Sequence, residues 1–504
     1  MNTNQTLDLF ILGGGINGAG VARDASGRGV SVMLCEKDDL AQGTSSRTTK
    51  FIHGGLRYLE QFEFSLVRKA LLEREVILNI APHISFPLRL IFINNNKIRN
   101  PLLIRTGLFL YDHLGGRRLI PSTDKVDLSS TSEGFEVKEP YSSGYGYWDV
   151  WTDDARMVIL NARDAKRNGA EIRTRTEFIG AVPQEDHWIV TIRDKTTGDL
   201  ERIRARILFD ATGPWLKSNS VKIAGLNRPD DLRLVQGSHI ILKKWWQGSH
   251  AYVLQHTDKR IVFVVPYLDD LAIVGTTERD LEGSIEEASI LPSEQDYLLD
   301  ILNSHFKRQF GPDDVISTYS GVRPLFDRDE GKGLSTVTRD YHLNMTMVND
   351  KLPVISAYGG KLTTYRVMAE DVLNMLDPFL PNSGNPWTAD KPLPGGDIPQ
   401  GDFNSWYGEF TSDFEFLDEP LLMHLGKTYG TDALDVLEGI RDKSDLGRCF
   451  GGNFYEREAL WLAEHEMAKF ADDILFRRTK HGLFLSSEER ENFEAWMSSN
   501  NLEI

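Results

Sequence analysis

The sequence predicts an α/β fold, with an antiparallel sheet inserted into it and a helical cap domain at its C-terminal end, on three observations. A strand, glycine turn, helix and second strand follow one another in FILGGGINGAGVARDASGRGVSVMLCEK, apolar strands crowd the middle of the chain, and helical patterning dominates beyond residue 402. Phe10 to Leu12 reads as the first strand. Gly13, Gly15 and Gly18 then supply GxGxxG, and Ala22, one helical turn on, lets the helix pack closely on the sheet. The amides of that turn can approach a pyrophosphate, and the helix dipole favours negative charge there. The second strand, Ser31 to Cys35, ends at Glu36, at the offset where an acid hydrogen-bonds a ribose hydroxyl. The first domain is therefore Rossmann-type, with NAD and FAD both open at this point.

The polar loop GTSSRTTKFIHGGLRYLEQ leads to a helix over Phe64 to Asn79. From Pro82 to Val150 the pattern is irregular, with Pro, Gly and clustered basic residues, and reads as an insertion. A helix resumes after Asp153 and Asp154 and ends at Gly169, a C-cap glycine. Strands are expected over Glu171 to Arg175, His187 to Arg193, Glu201 to Ala205 across the hairpin signal TTGD, and Ile207 to Asp210. SHIILKK, AYVLQH, RIVFVVPYL and LAIVGTTE read as one antiparallel sheet. A strand over Leu352 to Ala357, a glycine pair and a helix over Thr363 to Leu376 close the first domain. Pro and Gly mark 381–401 as a linker, and Leu460, Ala463, Met467 and Phe470 mark one apolar helical face beyond it. The expected domains are a discontinuous dinucleotide domain (1–80, 151–233 and 318–380), a basic and apolar insertion (81–150), a substrate-binding sheet domain (234–317), the linker, and a helical domain (402–504).

A chain of 504 residues exceeds one hydrophobic core. Its formal charge of -17 argues against general nucleic-acid binding. Cys35 and Cys449 are too few for a disulfide framework, which suits a reducing compartment. MNTNQTLDLF has no signal-peptide pattern, and no stretch offers the roughly 20 apolar residues of a membrane-spanning helix.

A second glycine and hydroxyl site stands at SAYGGKLTTYR, where Gly359 and Gly360 end a strand and Thr363 and Thr364 begin a helix. Such a helix start stabilises negative charge on a phosphate or a reduced ring. With Ala211, Thr212 and Gly213 at the end of another strand, three strand-end sites suit an extended FAD better than NAD. Thr44, Ser45, Ser46, Thr48 and Thr49 bring hydroxyls near that cofactor, against the alternative of a plain solvated loop. Taken singly, Arg57, Arg323, Arg339 and Lys361 each read more readily as a structural ion pair, but together, with Arg57 and Lys361 each beside a loop glycine, they read as a clamp for an anionic substrate. His239 can take a hydroxyl proton while hydride leaves the same carbon, or serve as a hydrogen-bonded structural histidine. HEMAK at His465 lacks a second zinc histidine, neither a phosphate-binding GxxxxGK[ST] loop nor a GxSxG elbow occurs, and no metal is expected.

The chain resembles the FAD-dependent, respiratory glycerol-3-phosphate dehydrogenase family. The resemblance rests on GGGINGAG, TSS, KFIHGGLRYLEQFEFSLVRKAL, EREVI, APH, GLFLYDHLGG, DDAR, ATGPW, GSHI, DKRIVFV, IVGTT, YSGVRPL, TRDY and GGKLTTYR, with RRTK beyond. It implies oxidation of sn-glycerol 3-phosphate to dihydroxyacetone phosphate, with electrons passed through FAD to membrane quinone. It places FAD contacts on Gly13, Gly15, Asn17, Gly18, Glu36, Ser45, Ser46, Thr49, Gly213, Gly360, Leu362 and Thr363. Substrate contacts fall on Arg57, Tyr58, Arg323, Arg339 and Lys361, and His239 with Arg323 stands at the reacting face. This loop reads TSSRTTK where the family commonly carries TSSASSK, so the hydroxyls survive and Arg47 has no assigned role.

FPLRLIFINNNKIRNPLLIRTGLFLYDHLGGRR sets Arg89, Lys97, Arg99, Arg105, Arg117 and Arg118 against one acid, Asp112, beside the short apolar stretch Leu102 to Leu114. That combination suits an interfacial anchor on the anionic, cytoplasmic face of the inner membrane, where each basic residue contributes about 1 kcal/mol. The alternative is a core helix with a basic rim. Two other functions stay open: an oxidase that passes electrons to oxygen, and a flavin-binding redox module without catalysis. No HxxH-like signal for covalent FAD stands out, and the sequence leaves room for a homodimer.

Overall fold

The computed structural model describes residues 6–94, 101–116, 120–139, 141–227, 232–258, 260–268, 270–327 and 340–500. The opening strand is Leu7–Leu12, and it pairs in parallel with Val32–Cys35 on one side and Leu200–Asp210 on the other. Leu352–Tyr358 and Glu171–Arg173 extend the parallel sheet at its two ends, and the antiparallel strand His342–Val348 edges it. Leu9 and Ile11 point to one face, where Ala22 and Ala25 of the helix Ile16–Gly27 and Met368 and Val372 of the helix Tyr365–Leu376 cover them. Phe10 and Leu12 point to the other face, against Phe178, Trp188 and Val190 of an antiparallel extension. Strands buried on both faces explain the unbroken apolar run of the first strand.

The second sheet carries ten strands among the described residues. Leu232–Lys243, Leu271–Gly275, Ile261–Tyr267 and Ala251–Gln255 run antiparallel in that order, and Val315–Phe326 pairs along the length of Leu232–Lys243. The expectation of an irregular segment over 82–150 is corrected here. Ser85–Ile93 and Ser143–Thr152 are long strands of this same sheet, joined to Ala251–Gln255 by its one observed parallel pairing. Pro87 and the glycines at 144 and 146 disguised them, yet alternation decides their burial. Ile91 and Ile93 face the helix Pro292–His305, while Leu88, Leu90 and Phe92 face the helices Phe64–Ile80 and Pro101–Leu114.

Residues 381–401 are irregular apart from a 3-10 turn at Pro399–Gly401, but they are docked on the first domain. Trp387 packs against Gly27 and under the Arg23 guanidinium, 4.9 Å from its ring centre. The C-terminal helices share a core that includes Trp406, Leu425, Tyr429, Phe454, Leu462 and Phe493. The apolar face expected over Leu460 to Phe470 is also corrected. The helix Glu456–His465 stops because Met467 takes a positive φ of 57°, Leu460 is exposed, and the buried side is formed by Ala459, Trp461 and Leu462. Ion pairs from Arg478 to Asp39, Lys480 to Asp153 and Glu466 to Arg156 seat this domain on the first.

Candidate functional site

The glycine turn follows the strand Leu7–Leu12 directly. Gly13 adopts φ 103°, and a Cβ there would lie 2.7 Å from the Ala211 carbonyl oxygen. A Cβ on Gly18 would fall 1.9 Å from the Gly13 carbonyl oxygen, so the turn closes only with hydrogen at both positions. Gly15 caps the helix Ile16–Gly27 and leaves its first amides facing the turn. Glu36 accepts hydrogen bonds from the Gly14 amide at 2.7 Å and the Asp38 amide at 2.9 Å. Burial pushes its carboxyl up, and these two amides oppose the shift.

Gly13, Gly15, Asn17, Glu36, Ser45, Gly213, Gly360 and Leu362 line one cavity of about 460 Å³ that reaches from the turn to Ser320, Val322 and Pro324 on the second sheet. Asn17 Nδ2 donates to the Gly359 carbonyl at 3.2 Å and ties the first glycine site to the second. Gly359 and Gly360 take φ 65° and 97°. Trp215, carrying the Lys37 ammonium 4.1 Å from its ring centre, adds an aromatic wall. Positive-φ glycines, a helix start at the glycine turn and a long two-sheet cleft fit an extended dinucleotide. Gly18 packs behind the turn instead of lining the cavity, and Ser46, Thr49 and Thr363 also lie outside its lining.

The hydroxyl loop is held mainly by partners outside itself. Ser45 Oγ accepts from the Ile16 amide at 3.0 Å, and Thr44 donates to the Val322 carbonyl at 2.6 Å. Thr48 gives both its amide and its hydroxyl to Asp154 Oδ2, at 3.1 and 2.7 Å. Lys50 Nζ donates to Asp154 Oδ1 at 2.6 Å and to the Ser46 carbonyl at 2.8 Å. Thr49 Oγ1 lies 2.9 Å from His239 Nε2, and the Tyr319 ring stacks on the imidazole at 4.7 Å while its hydroxyl donates to the Thr48 carbonyl at 2.8 Å. His239 Nδ1 is buried without a hydrogen-bond partner among the described residues. Burial, then the charges of Arg323 and Lys50, hold this imidazole well below its ordinary range, so it is neutral at neutral pH. Arg47 finds a local role, its guanidinium donating to the Ser320 carbonyl at 3.0 Å beside the cavity.

Arg323 stands opposite Val235, on the strand that pairs with the one bearing His239, and its Nη1 donates to Glu278 at 3.2 Å. The Lys361 ammonium sits 3.7 Å from the ring centre of Tyr58. The His53 amide donates to Thr363 Oγ1 at 3.1 Å, and burial with the Lys361 charge lowers the His53 imidazole to about 3. The loop from Thr48 to Tyr58 thus joins His239 at one end to Lys361 at the other. Arg57 lies on the 3-10 turn Leu56–Gln61, and Arg339 falls outside the described residues. Asp154, Tyr319 and Trp215 were missed from sequence as site-shaping residues. Their signals were present in DDAR, TYSGVRPL and ATGPW, but each partner lies far away along the chain.

A cleft of this shape, closed by a glycine turn and a strand-end acid, defines a dinucleotide-binding protein. Residues 8–366 match the family described as FAD dependent oxidoreductase, and 386–497 match the C-terminal domain of alpha-glycerophosphate oxidase. The chain is 46% identical over 499 residues to D-erythritol 1-phosphate dehydrogenase of Brucella abortus, covering 99% of each. It is 44% identical over 493 residues to aerobic glycerol-3-phosphate dehydrogenase of Escherichia coli, covering 98% of this chain and 97% of that one. The solved glycerol-3-phosphate dehydrogenase of Bacillus halodurans, complexed with FAD, superimposes with a TM-score of 0.75 at 24% identity, covering 99% of this chain and 95% of that one. The chain belongs to the FAD dependent oxidoreductase family, and its cofactor is FAD. The fold class expected from the sequence and the resemblance to FAD-dependent glycerol-3-phosphate dehydrogenases are both borne out.

Proposed function

We propose that the protein oxidises sn-glycerol 3-phosphate to dihydroxyacetone phosphate and passes the electrons to membrane quinone. The observation that carries this reading is the whole-length identity with glycerol-3-phosphate dehydrogenases, in a chain whose cations Arg323 and Lys50 act on a buried, neutral, partly unsatisfied His239. Bound FAD supplies the acceptor for the hydride. The chain's own residues do the rest. Gly13, Gly15, Asn17, Gly18, Glu36, Ser45, Ser46, Thr49, Gly213, Gly360, Leu362 and Thr363 hold the cofactor by direct contact or from behind it. Arg57, Tyr58, Arg323, Arg339 and Lys361 bind the substrate, its phosphate dianion above all, and so fix the carbinol. His239 Nδ1 takes the hydroxyl proton. Its depressed basicity rises as the dianion offsets the Arg323 charge, which couples proton uptake to substrate arrival.

The acceptor reading draws on the surface of the helix Pro101–Leu114. Ile104, Leu108 and Tyr111 are buried, while Leu102, Leu103 and Phe109 are 69%, 57% and 59% exposed, and Phe62 at 79% follows the turn that packs on this helix. Among the described residues no helix is long and apolar enough to cross a membrane. Arg105 of the helix Pro101–Leu114 is exposed as well, and of the basic residues singled out from the sequence, Lys97, Arg99, Arg117 and Arg118 lie outside the described residues. An apolar face of this kind suits insertion into one leaflet, on the cytoplasmic face of the inner membrane, where quinone is reached.

The identity of 46% to D-erythritol 1-phosphate dehydrogenase supports a second reading, in which a longer polyol phosphate occupies the same anion site. Anaerobic addition of each phosphate to the yellow protein separates them. Bleaching of the flavin with a higher kcat/KM for glycerol 3-phosphate supports the first reading, preference for D-erythritol 1-phosphate replaces it with the second, and silence with both refutes the anion site. Stoichiometric peroxide in air, without quinone reduction in membranes, would refute the quinone assignment.

A further inference from the structure

The C-terminal domain holds a cluster that the oxidoreductase chemistry does not use. His424 comes from the helix Glu419–Tyr429, Glu458 from the helix Glu456–His465, and His481 from the 3-10 turn His481–Leu483. His424 Nε2 lies 2.6 Å from Glu458 Oε1, and His481 Nε2 lies 3.2 Å from Glu458 Oε2. All three ligand atoms fall within 4.8 Å of one another. The carboxylate is 3% exposed and the two imidazoles 17% and 11%. We infer that His424, Glu458 and His481 form a structural binding site for a divalent transition metal, with Zn²⁺ the best-matched ion.

The donor set is two imidazole nitrogens and one carboxylate oxygen, which borderline Zn²⁺ takes in tetrahedral sites. Ligand atoms about 2.1 Å from a shared ion in that geometry lie roughly 3.4 Å apart, inside the range of separations found here. Two ring nitrogens from different elements converge on the two oxygens of one enclosed carboxylate, so small side-chain rotations open the place for an ion. The surrounding contacts are those that orient metal ligands. The Tyr429 hydroxyl donates to Glu458 Oε1 at 2.6 Å, Thr428 Oγ1 stands 3.5 Å from His424 Nδ1, and His481 stacks on Phe454 with centroids 4.7 Å apart. A fourth ligand would be water. One neutral-imidazole pair, one carboxylate and one divalent ion leave a single positive charge, with no redox step.

The site would pin the turn that follows Lys480, whose ammonium pairs with Asp153 at the start of the helix Asp154–Arg167. It therefore tethers the C-terminal domain near its contact with the FAD domain. The ligands lie 34 and 23 residues apart along the chain, which is why the sequence was read as having no metal site.

The test uses the FAD-loaded full chain, dialysed against Zn²⁺ or Co²⁺, freed of loose metal by gel filtration, and assayed for metal, flavin and protein together. The expected result is one metal per chain, a tetrahedral-intensity Co²⁺ band beyond the flavin absorption, and a melting temperature raised by a few degrees with saturating Zn²⁺. His424→Ala and His481→Ala should each lose the metal and the shift while keeping FAD. The absence of stoichiometric metal in the wild-type chain overturns the inference, since the cluster is then a hydrogen-bonded network only. Metal retained unchanged in both histidine variants overturns it equally. Should either variant fail to fold, the wild-type Co²⁺ spectrum decides alone: an octahedral-type weak band refutes the site.

Discussion

The ion pair of Lys50 and Asp154 carries the hydroxyl loop, and breaking it has a calculable cost. Both side chains are nearly sealed from water, at 6% and 0% exposure, and Asp154 also accepts from the Thr48 amide and hydroxyl and the Ala155 amide. Asp154→Asn keeps the shape but leaves the Lys50 ammonium buried without a counter-charge, which costs about 3–5 kcal/mol. Lys50→Met in the same chain removes the stranded charge, and Asn can still accept from Thr48. The double variant should therefore recover about 2–3 kcal/mol relative to the sum of the two single changes. Urea unfolding of the four FAD-loaded proteins measures this cycle. Activity should not recover in parallel. Lys50 is one of the two charges that depress His239, so its loss lets the imidazole protonate at higher pH, and the acid limb of kcat/KM should move upward. Additivity within about 0.5 kcal/mol would show that the pair does not act as a unit and would sink the reasoning. An unmoved acid limb would remove His239 from the proton-transfer role.

Gly18→Ala should yield a colourless or unfolded protein, because its Cβ would sit 1.9 Å from the Gly13 carbonyl oxygen, whereas Gly408→Ala, in open space on a helix, should keep full flavin content and gain up to about 1 kcal/mol. The ratio of flavin to protein absorbance checks both. His83 is lowered to about 3 by burial and by Arg156 and Arg163, so it stays neutral in the fold while the unfolded chain protonates near 6.5. Stability should then fall as pH drops from 6.5 toward 3, by about 1.4 kcal/mol per pH unit from this group, and His83→Leu should flatten the measured slope by that amount. Replacing Leu102, Leu103 and Phe109 together by Ser should weaken sedimentation with anionic vesicles by roughly 10²-fold or more, at about 1 kcal/mol or more for each side chain, while turnover with a soluble dye acceptor stays unchanged.

What could be read from the sequence was what its chemistry writes locally. Gly13, Gly15, Gly18 and Glu36 fall within one strand-helix-strand unit, so their spacing already describes the turn that the structure builds. The convergence of Gly213 and Gly360 on the same cleft also followed, because parallel strands of such a sheet deliver their ends to one edge. The segment 82–150 was misread for the opposite reason. A strand such as Ser85–Ile93 earns its place only through partners at 143–152 and 251–255, and Pro87 and local glycines hide the alternation that those partners impose.

The same division governs the site itself. His239 was singled out by residue type, but its state could not be read, since that depends on its burial, on Tyr319 stacked against it, Thr49 beside it and two cations around it. Each of those neighbours arrives from a different part of the chain. In the proposed mechanism a buried, neutral histidine among cations is a poor base until an anion enters, so Arg323, proposed to bind the phosphate, would also set when the proton can move. On that mechanism binding and chemistry share one electrostatic term, and a substrate lacking the phosphate should lose turnover as well as affinity.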